Sequence, residues 1–301
     1  MRLRSTAIDP GSSDGRALWP SDARGDPSLG APLAPRASSL DFPGDAIDAP
    51  SQELASIGAE AASGPGNPAA SIATTPPARA GSLLHPGDPR VDPTVFAAFE
   101  AQSDAVARIR DLRGAFSSRW HGDTPDDRRA VALIGLDATV EVASVAANLA
   151  VVCAQLGWRT LLVDGDLQAP AQDRLFRTDN RAGLSTLLQE PQGRAAIQPT
   201  AIERLSLLPA GPGSAEGAEL LERQPLVEAL EGRIGRHRLV LLSLSARSQS
   251  TRFGAVDTIL SGFDGALVLA SRNGSALRPL QRLTGLLEEG GVPLLGTVIV
   301  P

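Results

Sequence analysis

Hydrophobic positions along the 301 residues fall into two regimes. Through about residue 92 they come singly, and stretches such as Ala61-Ala62-Ser63-Gly64-Pro65-Gly66-Asn67-Pro68 follow neither the period of a strand nor that of a helix. The same region holds 13 of the 24 prolines. A chain of this kind cannot bury enough apolar area to offset the entropy of ordering it, so residues 1–92 are expected to form a long disordered N-terminal region, with the role of a spacer. From Pro93 the pattern changes. Pro93 suits the first turn of a helix, and Val95, Phe96, Phe99, Ala105, Val106, Ile109, Leu112 and Phe116 recur at helical spacing. Residues 93–118 are therefore expected as an amphipathic helix or helix pair whose other face carries Arg108, Arg110 and Arg113. A connector with Gly122, Asp123 and Pro125 follows.

Beyond the connector, short continuous apolar runs alternate with helical patterns. Strands are expected at 129–136, 159–164, 205–209, 239–244, 265–270 and 294–300, with helices at 142–156, 215–230, 255–260 and 277–289. Runs with no polar face, separated by helices, imply a parallel sheet covered on both sides by helices, an α/β domain over residues 93–301. In such sheets ligands bind at the carboxyl ends of the strands. The turn after the first strand is the usual phosphate site.

Composition narrows the chemistry. All 28 basic residues are arginine, and there is no tyrosine, so no step within this chain can use a lysine or a tyrosine of its own. A compositional bias toward Ala, Gly, Pro and Arg accounts for scarcity of both, which leaves the positions affected as the informative part. The one cysteine, Cys153, sits in an apolar helix and reads as a buried hydrophobe. His85, His121 and His237 are isolated, so no metal-ligand spacing exists. Arg2 and Arg4 precede no apolar run of the signal-peptide kind, and no stretch is long enough to cross a bilayer. A net charge of −6 without a dense basic run argues against nucleic acid as a partner. The expectation is a cytoplasmic, metal-free protein.

The run Leu161-Leu162-Val163-Asp164-Gly165-Asp166-Leu167, with Pro170 and Arg174-Leu175-Phe176 after it, resembles the segment after the second strand of bacterial tyrosine kinases of capsule and exopolysaccharide synthesis, P-loop relatives of MinD-type ATPases. Gly183-Leu184-Ser185, Leu207-Leu208-Pro209-Ala210-Gly211, Glu219-Leu220-Leu221, Ala147-Asn148-Leu149-Ala150 and Leu295-Gly296 agree in order, so the resemblance covers about residue 105 to the end. It implies a P-loop NTPase-like fold, and in the family ATP and Mg²⁺ at the phosphate loop. Aligned on Ala147-Asn148-Leu149-Ala150, that loop falls on Thr139 to Ala143. Its glycines are replaced by Thr139 and Glu141, which resist the positive φ that glycine adopts freely. Its lysine becomes Val142 and its Mg²⁺-binding hydroxyl Ala143. Ser144 is one residue on and about 100° around the helix, so it is no substitute. A carboxylate such as Glu141 about 5 Å from a phosphate charge, at an effective dielectric near 20, costs roughly 3 kcal/mol. With Thr139 or Asp137 as N-cap and Glu141 in the first turn, side chains would meet the helix dipole instead.

Other positions of the resemblance point the same way. The Mg²⁺-linked aspartate corresponds to Ser243, followed by Leu244, Ser245 and Ala246, and the asparagine near the base corresponds to Val300. Asp164 and Asp166 remain, vestiges of metal and base chemistry, which a buried turn would retain for structural reasons. The family's phosphorylated tyrosine cluster has no counterpart here, the chain stopping at Pro301. In its Glu-x-x-Arg-x-x-Arg ring motif, Arg110 and Arg113 keep the spacing while Ala107 replaces the glutamate, so these two are interface candidates for a homo-oligomer, against a plain solvated arginine face. The resemblance thus implies a non-catalytic regulatory or scaffold protein, without cofactor, that docks to a membrane polysaccharide copolymerase at the inner face of the membrane. The alternative is an ATPase or tyrosine kinase with an atypical site, for which Arg159 or Arg174 would supply the missing cation.

Overall fold

A computed structural model describes residues 2–4, 81–118, 128–190, 196–213, 216–246, 255–272 and 277–300. Most of the proline-rich region, at 5–80, and the connector at 119–127 lie outside them. In chain order the elements are β1 (Arg2–Arg4), α1 (Asp104–Ser117), β2 (Arg129–Gly135), α2 (Val142–Gln155), β3 (Thr160–Asp164), α3 (Gln172–Leu175), α4 (Leu184–Gln189) and β4 (Gln198–Pro199). They continue with β5 (Leu205–Leu208), α5 (Gly217–Leu221), α6 (Leu226–Ala229), β6 (Leu239–Leu244), α7 (Val256–Ile259), β7 (Gly265–Ser271), α8 (Leu277–Glu289) and β8 (Leu294–Val300). One sheet has the order β1-β8-β7-β2-β6-β3-β5-β4. Its six inner strands are parallel, and only the short edge strands β1 and β4 run antiparallel to their neighbours.

The period of 2 along each strand divides the core in two. Ala130, Ala132 and Ile134 of β2, with Val240, Leu242 and Leu244 of β6, pack toward α4, α5, α6, α7 and α8. Val131 and Leu133, with Leu239 and Leu241, pack toward α1 and α2 on the other face. Both layers are apolar because both are covered, which is why the strands read as unbroken hydrophobic runs. Cys153 is buried in α2, and burial pushes its thiol up to about 12, so it behaves as the small hydrophobe expected.

Three boundaries differ from the sequence reading. The tail does not run to residue 92 as one unstructured piece. Gly81 donates its N–H to Gln155 O, Leu84 to Ala98 O and Asp92 to Leu175 O, and Val91 and Val95 are buried, so 81–98 is a strap on the α1/α2 face. Within it Phe96–Ala98 forms a 3-10 turn, and α1 itself begins only at Asp104, where Ser103 accepts the Val106 N–H at 3.3 Å. The helix expected at 215–230 is two short ones, because Pro225 has no N–H to continue a ladder and sits instead as the N-cap of α6.

Asn148 holds the strap down. Fully buried in α2, its Oδ1 accepts the Ala97 N–H at 2.9 Å while its Nδ2 donates to Thr94 O at 3.0 Å and Ser144 O at 2.8 Å. Asn148→Ala would leave the buried Ala97 N–H of the strap unpaired, and should cost about 2 kcal/mol. The check is a denaturant titration followed by circular dichroism, in which the midpoint falls with little change of slope.

Candidate functional site at the carboxyl edge of the sheet

The loops that follow β2, β3, β6 and β7 meet at one edge. Residues 136–141 join β2 to α2, and their own side chains satisfy their backbone: Asp137 Oδ1 accepts the Thr139 N–H at 2.9 Å and the Thr139 hydroxyl. Ser271, ending β7, donates to Asp137 Oδ2 at 3.4 Å. The N-cap of α2 is Glu141 rather than Asp137 or Thr139, and its side chain makes no capping bond. The anion supplied to this loop is thus the Asp137 carboxylate, not Glu141 in a first turn. The expectation is corrected because Glu141 takes non-helical angles as the N-cap and the helix starts at Val142. Val142 is 2% exposed, and a Cβ on Gly135 would lie 2.6 Å from its Cγ2. Its isopropyl group therefore fills the space against the end of β2. Ala143 follows half-buried, and Gln172, fully buried in α3, donates to its carbonyl at 3.0 Å.

Asp164 and Asp166 organise the next loop. Asp164 is 1% exposed; its Oδ1 accepts the Asp166 N–H at 3.1 Å, and its Oδ2 accepts the N–H groups of Ala171 and Gln172, both at 2.9 Å. Burial pushes the Asp164 carboxyl up to about 6, against those three donors, which pull it down. Asp166 Oδ1 accepts the Ala169 N–H at 2.9 Å, and Ser245 donates its hydroxyl to Asp166 Oδ2 at 2.5 Å. Ser243 lies opposite Asp164 in the sheet and is buried, and its carbonyl accepts the Gly165 N–H at 2.9 Å. The Ser245 link escaped the sequence reading, in which Ser245 counted only as a replacement; partners 79 residues apart leave no local signal.

A cleft of about 370 Å³ opens beside these loops, between α1 and the start of α2. It brings together Thr139, Glu141 and Val300, three positions singled out from the sequence, with Arg108, Phe96 and Ser144. Val142, Asp164, Asp166 and Ser243 do not line it. Arg110 and Arg113 are elsewhere on α1. Both are half-buried, and the Arg113 guanidinium lies 6.0 Å from the Trp158 ring centre, so Arg113 does not belong to a simple solvated face. Among the described residues no group of three His, Cys, Asp or Glu side chains is placed to hold a metal ion, and no helix is long and apolar enough to cross a membrane.

No protein-family model matches the chain. CapB of Staphylococcus aureus, named as a tyrosine-protein kinase, is 27% identical over 157 residues, 52% of this chain and 67% of CapB. The tyrosine-protein kinase YwqD of Bacillus subtilis is 40% identical over 86 residues, 28% of this chain and 36% of its own. Both of these homologues of the chain are named as bacterial tyrosine-protein kinases. The succinoglycan biosynthesis transport protein ExoP of Rhizobium meliloti is 32% identical over 106 residues, 34% of this chain and 14% of ExoP. The chain thus spans two thirds of CapB and far less of the other two. Among solved structures, the chimerical protein CapA2B2 superposes with a TM-score of 0.59 at 21% identity, over 73% of this chain and 92% of that one. This likeness bears out the α/β fold read from the strand pattern, which the resemblance implied to be P-loop NTPase-like.

The raised pKa of Asp164 carries a testable sign. The folded carboxyl holds its proton more tightly than an ordinary aspartate at 3.8, so its stabilising contribution is complete below that pH and is lost as pH rises through about 6. Stability of the native protein should fall by about 3 kcal/mol across that window through this group. Urea titrations at a series of pH values should show that component in the native chain and not in Asp164→Asn; identical pH profiles would sink the assignment.

Proposed function

We propose that this chain is a tyrosine-kinase-like protein of polysaccharide synthesis or export that binds no nucleotide, performs no phosphoryl transfer, and acts by docking to a membrane polysaccharide copolymerase. The observation that carries this reading is the loop after β2. A phosphate there needs backbone N–H groups turned toward it and a cation beside it. The Thr139 N–H is already bonded to Asp137, the lysine position is the buried Val142, and an uncapped carboxylate, Glu141, stands at the helix start. The Asp164 and Asp166 oxygens accept hydrogen bonds from the protein itself, which favours a structural turn over metal or base chemistry. Mg²⁺ would also lack the aspartate for which Ser243 stands.

Of the two arginines considered as rescuing cations, Arg159 precedes β3 while the loops follow it, a separation of about 17 Å for five extended residues. Arg174 is exposed and donates to the Pro170 carbonyl. A second reading rests on one observation, that Arg108 lines the cleft beside Thr139 and Glu141. On that reading Arg108 would meet the phosphates of a nucleotide held without a lysine. The polysaccharide context is supported by the likeness to ExoP, a succinoglycan biosynthesis transport protein, and the copolymerase partner by the sequence resemblance to capsule and exopolysaccharide kinases.

Calorimetric titration of the full chain with Mg·ATP separates the two readings. The expected result is no binding tighter than roughly 100 µM, that is, less than about 5.5 kcal/mol. Tighter binding that Arg108→Ala abolishes would establish the second reading and overturn the first. In cells, removal of residues 93–301 should change the amount or length of the exopolysaccharide, and an unchanged polymer would remove the proposed process.

A further inference from the structure

Four adjacent strands enter the sheet through arginine. Arg129 is the first residue of β2, and Arg238, Arg159 and Arg204 immediately precede β6, β3 and β5. These strands lie side by side and parallel in the order β2-β6-β3-β5, so the four arginines stand on one edge, opposite the loops described above. The backbone joins them in series. Arg129 N donates to Arg238 O at 2.8 Å, Arg238 N to Arg159 O at 2.7 Å, and Thr160 N to Arg204 O at 2.9 Å. With strands about 4.8 Å apart, the row is about 14 Å long. Arg128 and Arg236 extend it and are exposed, as are Arg159 and Arg204.

Two carboxylates of the described residues meet this row. Asp264 pairs with Arg129 at 3.3 Å, and the exposed Glu203 lies 3.6 Å from Arg204. Among the described residues, Arg159 and Arg236 pair with no carboxylate. The half-buried His237 senses the accumulation: burial first, and then the Arg159 and Arg128 charges, hold its pKa below the ordinary value against the Ile234 carbonyl that raises it. An aromatic and an aliphatic side chain sit among the cations. Trp158 has the Arg238 guanidinium 5.2 Å from its ring centre and Arg113 at 6.0 Å, and Leu156, two residues earlier, is 50% exposed.

The geometry points to this amino edge of the sheet as a contact surface for an anionic lipid bilayer. A line of guanidinium groups matches a plane of phosphate headgroups. A half-buried indole stacked against cations, with an exposed leucine two residues before it in the chain, suits the headgroup level, where charge attracts and a shallow apolar group enters. The bilayer is the occupant the charge favours, because guanidinium groups from four neighbouring strands meet it together with the exposed Arg128 and Arg236, and the exposed Leu156 offers a shallow apolar group. Docked this way, the protein stands with its strands along the bilayer normal. The seven residues of β2 then hold the loops at 136–141 and 165–171 about 23 Å from the surface, facing away from the lipid. Nothing in this depends on whether the cleft binds nucleotide.

Co-sedimentation of the full chain with vesicles tests it, using an equal mixture of phosphatidylglycerol and phosphatidylcholine beside phosphatidylcholine alone, at low and at high salt. The expected result is binding to the anionic vesicles only, lost at high salt. Combined Arg128→Gln, Arg159→Gln, Arg204→Gln and Arg236→Gln should weaken binding at least ~100-fold, at roughly fivefold for each arginine. Leu156→Ser should weaken it severalfold without changing the salt dependence, and Arg278→Gln with Arg282→Gln on α8 should leave it unchanged. Equal binding to neutral vesicles, or full binding by the fourfold variant, would overturn the proposal. So would displacement of the vesicles by duplex DNA at equal phosphate concentration, which would assign the row to nucleic acid.

Discussion

Burial of both faces of a parallel sheet constrains everything else in this molecule. β3 and β6 have every residue covered, and β2 all but its first, so none of these three strands can offer a polar side chain from its middle without stranding it in an apolar layer. Charge is pushed to the two ends of the strands. The same constraint that makes the core makes two polar edges, one of loops and one of arginines, separated by the length of a strand.

At the loop edge the backbone N–H groups need partners, and two are possible in a fold of this kind: a bound anion, or carboxylates of the chain. Here the chain provides its own. Asp137 serves the loop after β2, and Asp164 and Asp166 serve the loop after β3 and, through Ser245, tie it to the end of β6. An Asp-Gly-Asp sequence that in a kinase would handle metal can persist for this reason alone. Its oxygens hold a turn that a substitution would release, and burial raises the cost of releasing it.

At the opposite edge Arg129 pairs with Asp264, Arg128 donates to Gly235 O and Arg204 to Gly157 O, while water reaches the exposed Arg128, Arg159, Arg204 and Arg236. Arginine is also the only cation this chain possesses, and its stem and planar head can stack on Trp158 where an ammonium would stay solvated. Gathering cations at the strand entrances of a chain with net charge −6 gives the molecule an axis, with the cleft and Glu141 at one pole and the row from Arg129 to Arg204 at the other.

The parallel strands were legible from residue 129 onward, since unbroken apolar runs have few other solutions, and every expected strand formed, whereas α3, α4 and β4 had no counterpart in the expectation and the helix at 215–230 broke in two. That Thr139, Glu141, Val142 and Ala143 are neither lysine nor glycine is legible from identity alone, while their places in the loop after β2 and at the start of α2 come from the structure. The sequence did not reveal that 81–98 folds onto α2, since apolar residues spaced singly look like a tail until Asn148 is seen holding their backbone. Nor did it single out Asp137 as the carboxylate serving its loop, a matter of which φ/ψ each loop residue takes. The arginine row shows the division most clearly. Each arginine is a lone residue before an apolar run, and only the strand order, set by crossover connections among 110 residues of chain, brings Arg129, Arg238, Arg159 and Arg204 side by side. Residue types and their periods therefore determined the layers, while the partners at the strand ends were decided by packing across the sheet, where neighbours in space are distant in sequence.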